Sequence, residues 1–269
     1  MRPRIAFAFA ERDIRLAIRT PSVYLPLIST PVVSLVVLPV VLVFVTRAFG
    51  DSALAGTLIG WMPRALSAQL DAFPAADRLT VLTLRYFLAP LYLITPVIVT
   101  NTIAADGFAG EKERKTLEPL LHSPATDAEL LTGKMLAAWL PAVVVGIGGF
   151  LAYTAVVDIL TAITMGQLLL PSPSWVVLAV WTAPAMSALA LGAMVLLSAR
   201  AGTFQGAYQL GTIVVLPPIL LIAGQVLGLF VLNTLFVFVL GAVSWILAVG
   251  ILAFGARRIT RSSMLGLTH

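Results

Sequence analysis

The sequence contains no cysteine, only two histidines and few charged residues. Without cysteine, disulfides, thiolate metal sites and cysteine nucleophiles are all excluded. The histidines, His122 and His269, do not form a His-Glu-x-x-His pair, and the apolar segments carry no cluster of carboxylates that could bind a catalytic metal. Charged residues make up 11% of the chain, against about 25% in soluble domains. These absences argue against a soluble domain and against a membrane-embedded enzyme.

Apolar residues are abundant instead: 59% of the 269 residues are hydrophobic, and the mean hydropathy is +1.01. A helix needs about 20 mainly apolar residues to cross a bilayer. Six segments meet this requirement, at about 22–46, 82–105, 135–157, 175–199, 208–232 and 234–255. We therefore predict an all-α polytopic membrane protein with about six transmembrane helices in a single domain, 1–269. Prolines inside several segments fit packing kinks or the hinges of a gate, and both remain open.

The basic residues are distributed unevenly between the two sides that six alternating spans create. Of the 17 Lys and Arg, thirteen fall on the side of the two termini, while the opposite loop at 158–174 has none. Because basic residues concentrate in cytoplasmic loops, we expect a protein of the cell (cytoplasmic or inner) membrane with both termini in the cytoplasm. This distribution also explains the net charge of +5 without a nucleic-acid partner.

The first 20 residues are predicted to form an amphipathic helix at the membrane surface rather than a cleavable signal. One side of this helix carries Phe7, Ala10, Ile14 and Ile18, which recur at helical spacing. Another side carries the basic residues Arg12, Arg15 and Arg19. A solvated leader before the first span is the alternative.

Two other regions allow more than one interpretation. The 47–79 loop is apolar enough to form an interfacial helix, with Trp61 at headgroup depth. From Leu210 to Phe254 the chain is apolar except around Asn233 and Thr234. We expect two full spans there, although Pro217 and Pro218 also fit a shorter span followed by a re-entrant piece.

The segment 106–134, between the second and third predicted spans, carries the densest polar chemistry. Five charged residues of both signs occupy 111–115, and opposite charges four residues apart support a short helix. Gly107 and Gly110 are expected to loosen the end of the second span. Thr126 followed by Glu129 matches a capping box that starts the next helix. The residues alone fit either a partner-docking helix or a solvated charged loop.

Residues 110–121 read Gly-Glu-Lys-Glu-Arg-Lys-Thr-Leu-Glu-Pro-Leu-Leu, and they are followed by Ser123-Pro124 and by Gly133-Lys134. This pattern resembles the signature of ABC type-2 permeases, also called type V exporters. The resemblance implies that this segment is a short cytoplasmic coupling helix that docks on a separate ATPase subunit. The residues implied in coupling are Glu111, Lys112, Glu113, Arg114, Lys115, Thr116, Leu117, Glu118, Leu120 and Leu121. Of these, the charged ones would make polar contacts and the leucines would form an apolar anchor.

The same resemblance implies an ATP-driven exporter of a lipid, an amphipathic drug, a peptide or an ion. The chain has no Gly-x-x-x-x-Gly-Lys-Ser/Thr loop for nucleotide phosphates. We therefore expect no cofactor on this chain, and ATP with Mg on two copies of a separate ATPase subunit. A second permease copy or a paralogue would complete the membrane part as a dimer.

An ion-coupled secondary carrier without an ATPase partner is the main alternative function. Such carriers usually place titratable groups within their spans, and here Arg85 and Asp158 lie only near the outer ends of the apolar segments. Four amides remain as candidates for lining a pathway or for joining helices: Asn101, Gln205, Gln209 and Gln225.

Overall fold

A computed structural model describes residues 2–50, 52–114, 125–198, 203–227 and 229–258. These residues form helices and loops without strands. We number the helices α1 (Pro3–Arg19), α2 (Pro21–Phe49), α3 (Ala53–Gly60), α4 (Arg64–Leu70), α5 (Ala75–Glu113), α6 (Asp127–Met165), α7 (Pro173–Ser198), α8 (Phe204–Val226) and α9 (Thr234–Arg258).

Six of these helices, α2 and α5 to α9, are long and apolar enough to cross a membrane. This confirms the predicted all-α polytopic fold with six spans. The most apolar stretch of α5 is 78% buried and that of α7 is 67% buried, whereas the other four are at most 33% buried. The centre of the bundle is therefore formed by α5 and α7, which pack against each other and against the surrounding spans.

Within the described residues, four widened, π-type turns interrupt three of the span helices, and three of these turns precede a proline. The turns at Val33–Val37, Leu82–Phe87 and Leu178–Thr182 come before Pro39, Pro90 and Pro184. A proline has no N–H to donate to the carbonyl four residues earlier, and in each case that carbonyl lies within the widened turn. The prolines therefore account for these turns, and the helices continue through them.

The widened turn of α5 at Leu82–Phe87 is also the centre of an aromatic cluster. The Tyr153 hydroxyl donates to the carbonyl of Leu84 at 2.6 Å, and the Trp175 indole N–H donates to the carbonyl of Arg85 at 2.8 Å. The rings of Tyr153 and Trp175 stack with their centroids 4.6 Å apart. These contacts join α5, α6 and α7 and satisfy carbonyls that the widened turn leaves available.

The loops between spans also contain short helices and caps. The 47–79 region forms α3 and α4, where Leu66 and Leu70 are buried and Trp61 is 71% exposed. Residues Phe204–Val226 form one helix with a tighter turn at Thr212–Val215, so the described part of the fifth span shows no re-entrant piece. The side chain of Asn233 caps α9 by accepting from the N–H of Phe236.

Candidate functional site

Three elements meet at one end of the bundle, which we call the α1 end: helix α1, the last turns of α5 and the first turns of α6. The buried face of α1 consists of Ala6, Ala10, Asp13 and Ala17, and this face packs along α6. Phe7 and Ile18, expected on the apolar face of α1, are each 58% exposed. The helix predicted for 1–20 is present, but small residues and one acid dock it, because they allow close approach to α6.

The closest approach of α1 to α6 occurs at Gly133. A Cβ at this position would lie 2.7 Å from the Cβ of Phe9 and 2.8 Å from the carbonyl oxygen of Ala6. Such distances are too short for any other residue without a shift of α1. Gly133 therefore sets the spacing between the two helices.

Lys134, the next residue, is the centre of a buried ionic cluster. Its ammonium nitrogen Nζ lies 2.6 Å from Glu111 Oε2 and 3.6 Å from Asp13 Oδ2. All three residues are less than 9% exposed. Arg12 adds a second cation, with its Nη2 atom 3.5 Å from Glu111 Oε1. The cluster therefore holds two cations and two carboxylates, and this balance allows charges to be buried.

The ammonium group of Lys134 also donates to the backbone carbonyl of Gly107 at 2.7 Å. Gly107 lies in the fourth widened turn, Asp106–Gly110, which no proline follows. The expected loosening of the second span at Gly107 and Gly110 thus occurs as a widened turn, and the helix continues to Glu113. Lys134 contacts both this turn and the carboxylate that follows it.

Arg114, a predicted coupling residue, pairs with Asp106 at 2.9 Å. The pair passes directly beside Gly110, where a Cβ would lie 2.8 Å from Asp106 Oδ1. The Arg114 side chain is 47% exposed, so its guanidinium remains accessible from outside the bundle. A side chain at position 110 would therefore displace one of the partners of this ion pair.

The other predicted coupling residues that the structure describes have different surroundings. Glu111 is 5% exposed and points inward. Its carboxylate pairs with Arg12 and Lys134, so it is not available on the surface for a partner. Glu113 is exposed and accepts from the N–H of Phe204 at 2.8 Å, at the first turn of α8. Lys112 is partly exposed and makes no ion pair within the described ranges. Predicted coupling residues outside the described residues are Lys115, Thr116, Leu117, Glu118, Leu120 and Leu121.

The start of α6 is capped as predicted. The Thr126 hydroxyl accepts from the N–H of Glu129, and the Glu129 carboxylate accepts from the N–H of Thr126, which confirms the capping box. The same carboxylate accepts from the backbone N–H of Arg2 at 2.7 Å and from its guanidinium at 3.2 Å. The beginning of α1 is thus fixed to the beginning of α6.

A cavity of about 430 Å³ lies between α1 and the end of α5. Its polar wall includes Arg12, Asp13, Asp106 and Arg114, and its apolar wall includes Leu16 and Phe108. Charges of both signs therefore border this space beside the ionic cluster.

The opposite end of the bundle has its own polar contacts. Arg47 bridges Asp77, at 2.7 Å, and the carbonyl of Thr164, at 2.6 Å. The carboxylate of Asp158 accepts from the N–H groups of Leu169 and Leu170. Asp158 thus stabilises a loop, which is not the arrangement of an ion-coupling group.

The four predicted pathway candidates are not brought together. Asn101 is buried and donates to the carbonyl of Tyr208 at 3.1 Å, so it joins α5 to α8. Gln205 and Gln209 are exposed along the first two turns of α8. Gln225 is buried, and its Oε1 atom has no hydrogen-bond partner in the part of the chain that the structure describes. The geometry supports helix joining for Asn101 and leaves the two exposed amides available to line a path.

The roles of Asp13 and Asp106 were missed by the sequence analysis. Asp13 shares the helical face of Ala6, Ala10 and Ala17, and an acid within a stripe of small residues is a signal for a buried pair. Asp106 lies eight residues before Arg114, a separation at which no regular helical contact is expected.

Comparison with known proteins places these contacts in a family. The model of the ABC-2 family transporter proteins matches residues 10–249, which include the second half of α1, the ionic cluster, five complete spans and most of α9. A search of the curated proteins finds no match. Members of this family are membrane permease components of ABC transporters, which work with an ATPase partner. Together with the six spans, the match shows that this multi-pass membrane protein belongs to the ABC-2 transporter family.

Proposed function

We propose that the chain is the membrane subunit of an ATP-driven exporter and that the segment 106–134 receives force from a separate ATPase subunit. The observation that carries the proposal is the extension of α5 as a helix to Glu113, beyond its apolar run. This extension brings the first charged residues of the segment to the α1 end, with Lys112 and Arg114 accessible on its surface.

The accessible charges define the docking contacts that we propose. Lys112, Glu113 and Arg114 would face the ATPase, followed by Lys115, Thr116 and Glu118. The apolar anchor would consist of Leu117, Leu120 and Leu121. Burial of Glu111 gives it a different role, inside the permease.

The arrangement in the membrane follows from the position of the basic residues. Arg2, Arg12, Arg114 and Lys134 all lie at the α1 end. By the tendency of basic residues to remain in the cytoplasm, this end faces the cytoplasm, as do both termini. The protein would then span the cell membrane, with the Arg47–Asp77 pair outside.

The complete transporter would contain two permease chains and two ATPase subunits. Closed two-fold symmetry is the commonest arrangement for soluble assemblies, and we extend it to this membrane pair. ATP and Mg would bind on the ATPase subunits. The exposed amides Gln205 and Gln209 would line the cytoplasmic part of a path for a lipid, an amphipathic drug, a peptide or an ion.

Partner recovery tests this proposal. The tagged chain is isolated from its native membranes in a mild detergent, and its partners are identified by mass spectrometry. We expect an ATPase with a phosphate-binding Gly-Lys-Ser/Thr loop. Lys112→Glu and Arg114→Glu should weaken its recovery, because breaking a desolvated interface charge contact costs about 2–5 kcal/mol. Arg64→Glu, at the opposite end, serves as the control.

Because Arg114 also pairs with Asp106, a double variant separates the two roles. Asp106→Lys combined with Arg114→Glu restores an internal ion pair of reversed polarity. If Arg114 docks directly, this variant remains unable to retain the ATPase. Recovery of the ATPase by the double variant would assign Arg114 an internal role only, and recovery of no ATPase with the unmodified chain in several mild detergents would reject the proposed function.

A further inference from the structure

The ionic cluster of Arg12, Asp13, Glu111 and Lys134 joins three elements that are separate in sequence. Arg12 and Asp13 belong to α1, Glu111 belongs to the end of α5, and Lys134 belongs to the beginning of α6. Glu111 immediately precedes Lys112, Glu113 and Arg114, the first residues of the proposed docking segment. A displacement of that segment would therefore move Glu111, whose carboxylate contacts Lys134.

Resting on the proposed function, we propose that Lys134 is a positioning residue for coupling, which makes α1, the end of α5 and the start of α6 move as one body. A transporter can use ATP-driven motion only if the docking segment is firmly connected to the spans. Lys134 supplies this connection because it forms ion pairs with Glu111 and Asp13 and also donates a hydrogen bond to the carbonyl of Gly107.

Burial makes this connection costly to break. Lys134 is 3% exposed, so its contacts are screened by water much less than surface ion pairs. If an apolar residue replaces Lys134, the buried carboxylates of Asp13 and Glu111 lose a compensating positive charge. Their burial then becomes unfavourable, which destabilises the packing of α1 against α6. The contact to Gly107 also fixes the one widened turn of α5 that no proline explains. Widened turns of this kind are frequent at functional sites.

Gly133 provides an independent contact between two of these elements, α1 and α6. It allows α1 to approach α6 closely, and this approach places Asp13 beside Lys134. Gly133→Leu should therefore separate α1 from α6 while every charge of the cluster is retained. The adjacent Gly and Lys act together: one allows the approach and the other stabilises it.

The absence of cysteine makes the test direct, because spin labels can be attached to introduced cysteines alone. One pair, Ala8→Cys and Val144→Cys, measures the position of α1 relative to the first half of α6, since both side chains are exposed. A second pair, Ile163→Cys and Leu235→Cys, measures motion at the opposite end of the bundle. Distances are recorded by pulsed electron paramagnetic resonance on the complex with its ATPase, before and after trapping with ATP and vanadate.

In the unmodified background, we expect a narrow α1–α6 distance and a shift of the second distance on trapping. Lys134→Met and Gly133→Leu should broaden the first distance and abolish the shift, although the ATPase remains bound. Lys134→Glu combined with Glu111→Lys should restore part of the shift. Arg78→Met removes an ion pair with Asp71 at the opposite end, away from the labelled positions, and should leave the shift intact.

If Lys134→Met prevents assembly, Asp13→Asn provides a milder change that retains the Lys134–Glu111 contact, and it should broaden the α1–α6 distance and reduce the shift. A full shift in Lys134→Met or in Asp13→Asn with the ATPase bound would overturn the inference and leave the proposed function standing. Failure of the unmodified chain to bind an ATPase would instead reject the proposed function itself.

Discussion

Two glycines at the α1 end are surrounded closely enough that a single methyl group would disturb an ion pair or a helix contact. Gly110 lies against the Asp106–Arg114 pair, and Gly133 lies against α1. Some other glycines have open space around them: at Gly148, nothing lies within 4 Å of an added Cβ. The same substitution should therefore have opposite effects at Gly110 and Gly148.

Gly110→Ala should displace the Asp106–Arg114 pair, because overpacking costs about 1–3 kcal/mol, more than the helix preference of alanine returns. Gly148→Ala should stabilise the protein by about 0.5–1 kcal/mol, since alanine loses less backbone entropy. Thermal unfolding of the purified chain in detergent measures both. Equal effects of the two substitutions would show that Gly110 has no special packing role.

Tyr153→Phe should lower the stability by about 1–3 kcal/mol, because the buried carbonyl of Leu84 would lose its donor. Tyr24→Phe is the matched control, since no hydrogen bond of the Tyr24 side chain is found within the described ranges. The midpoints of thermal unfolding, measured in the same detergent, compare the two. An unchanged midpoint for Tyr153→Phe would mean that the widened turn of α5 does not depend on this hydroxyl.

At the scale of the elements, α1 shows which part of the fold was accessible to sequence reasoning. The number and type of span helices could be predicted because apolar length alone determines whether a helix can cross a bilayer. The Thr126–Glu129 cap could be predicted because it depends on residues three positions apart. The docking face of α1 could not, because it is selected by the small surface of α6 at Gly133, which lies over 100 residues away.

The segment 106–134 illustrates the same limit. The charges of both signs at 111–115 indicated a polar segment, but the sequence did not show which of these side chains turn inward. Glu111 turns inward because Lys134 and Arg12 meet it there, and neither contact has a regular sequence spacing. A charge pattern therefore identifies such a segment, but the tertiary fold determines which of its charged side chains are buried in internal ion pairs and which are exposed.

The packing of α1 gives a prediction at this scale. Ala10→Leu places a larger side chain in the α1–α6 contact and should cost about 1–3 kcal/mol, whereas Ala8→Leu enlarges an exposed position. Hydrogen exchange of the α1 backbone, followed by mass spectrometry, should be faster in Ala10→Leu than in Ala8→Leu. Equal exchange rates in the two variants would contradict docking of α1 through its small residues.

For the whole molecule, the distribution of charges between its two ends predicts its orientation. The single variants Arg15→Cys and Lys112→Cys should each react with a membrane-impermeant thiol reagent only from the cytoplasmic side. A cysteine at Arg64 should react only from outside. Labelling of right-side-out and inverted membrane vesicles measures this difference, and an unmodified chain without cysteine provides the blank. Reaction of all three positions from one side would contradict a bundle with α1 and the 47–79 loop on opposite faces.

Helix α6 is longer than a bilayer is thick. Its 39 residues extend about 58 Å at 1.5 Å per residue, whereas the hydrocarbon core measures about 30 Å. If the hydrocarbon core ends at Lys134, the eight residues from Asp127 onward rise about 12 Å above it, past the layer of lipid headgroups. The proposed docking segment would then lie clear of the membrane, where an ATPase could bind without displacing lipid.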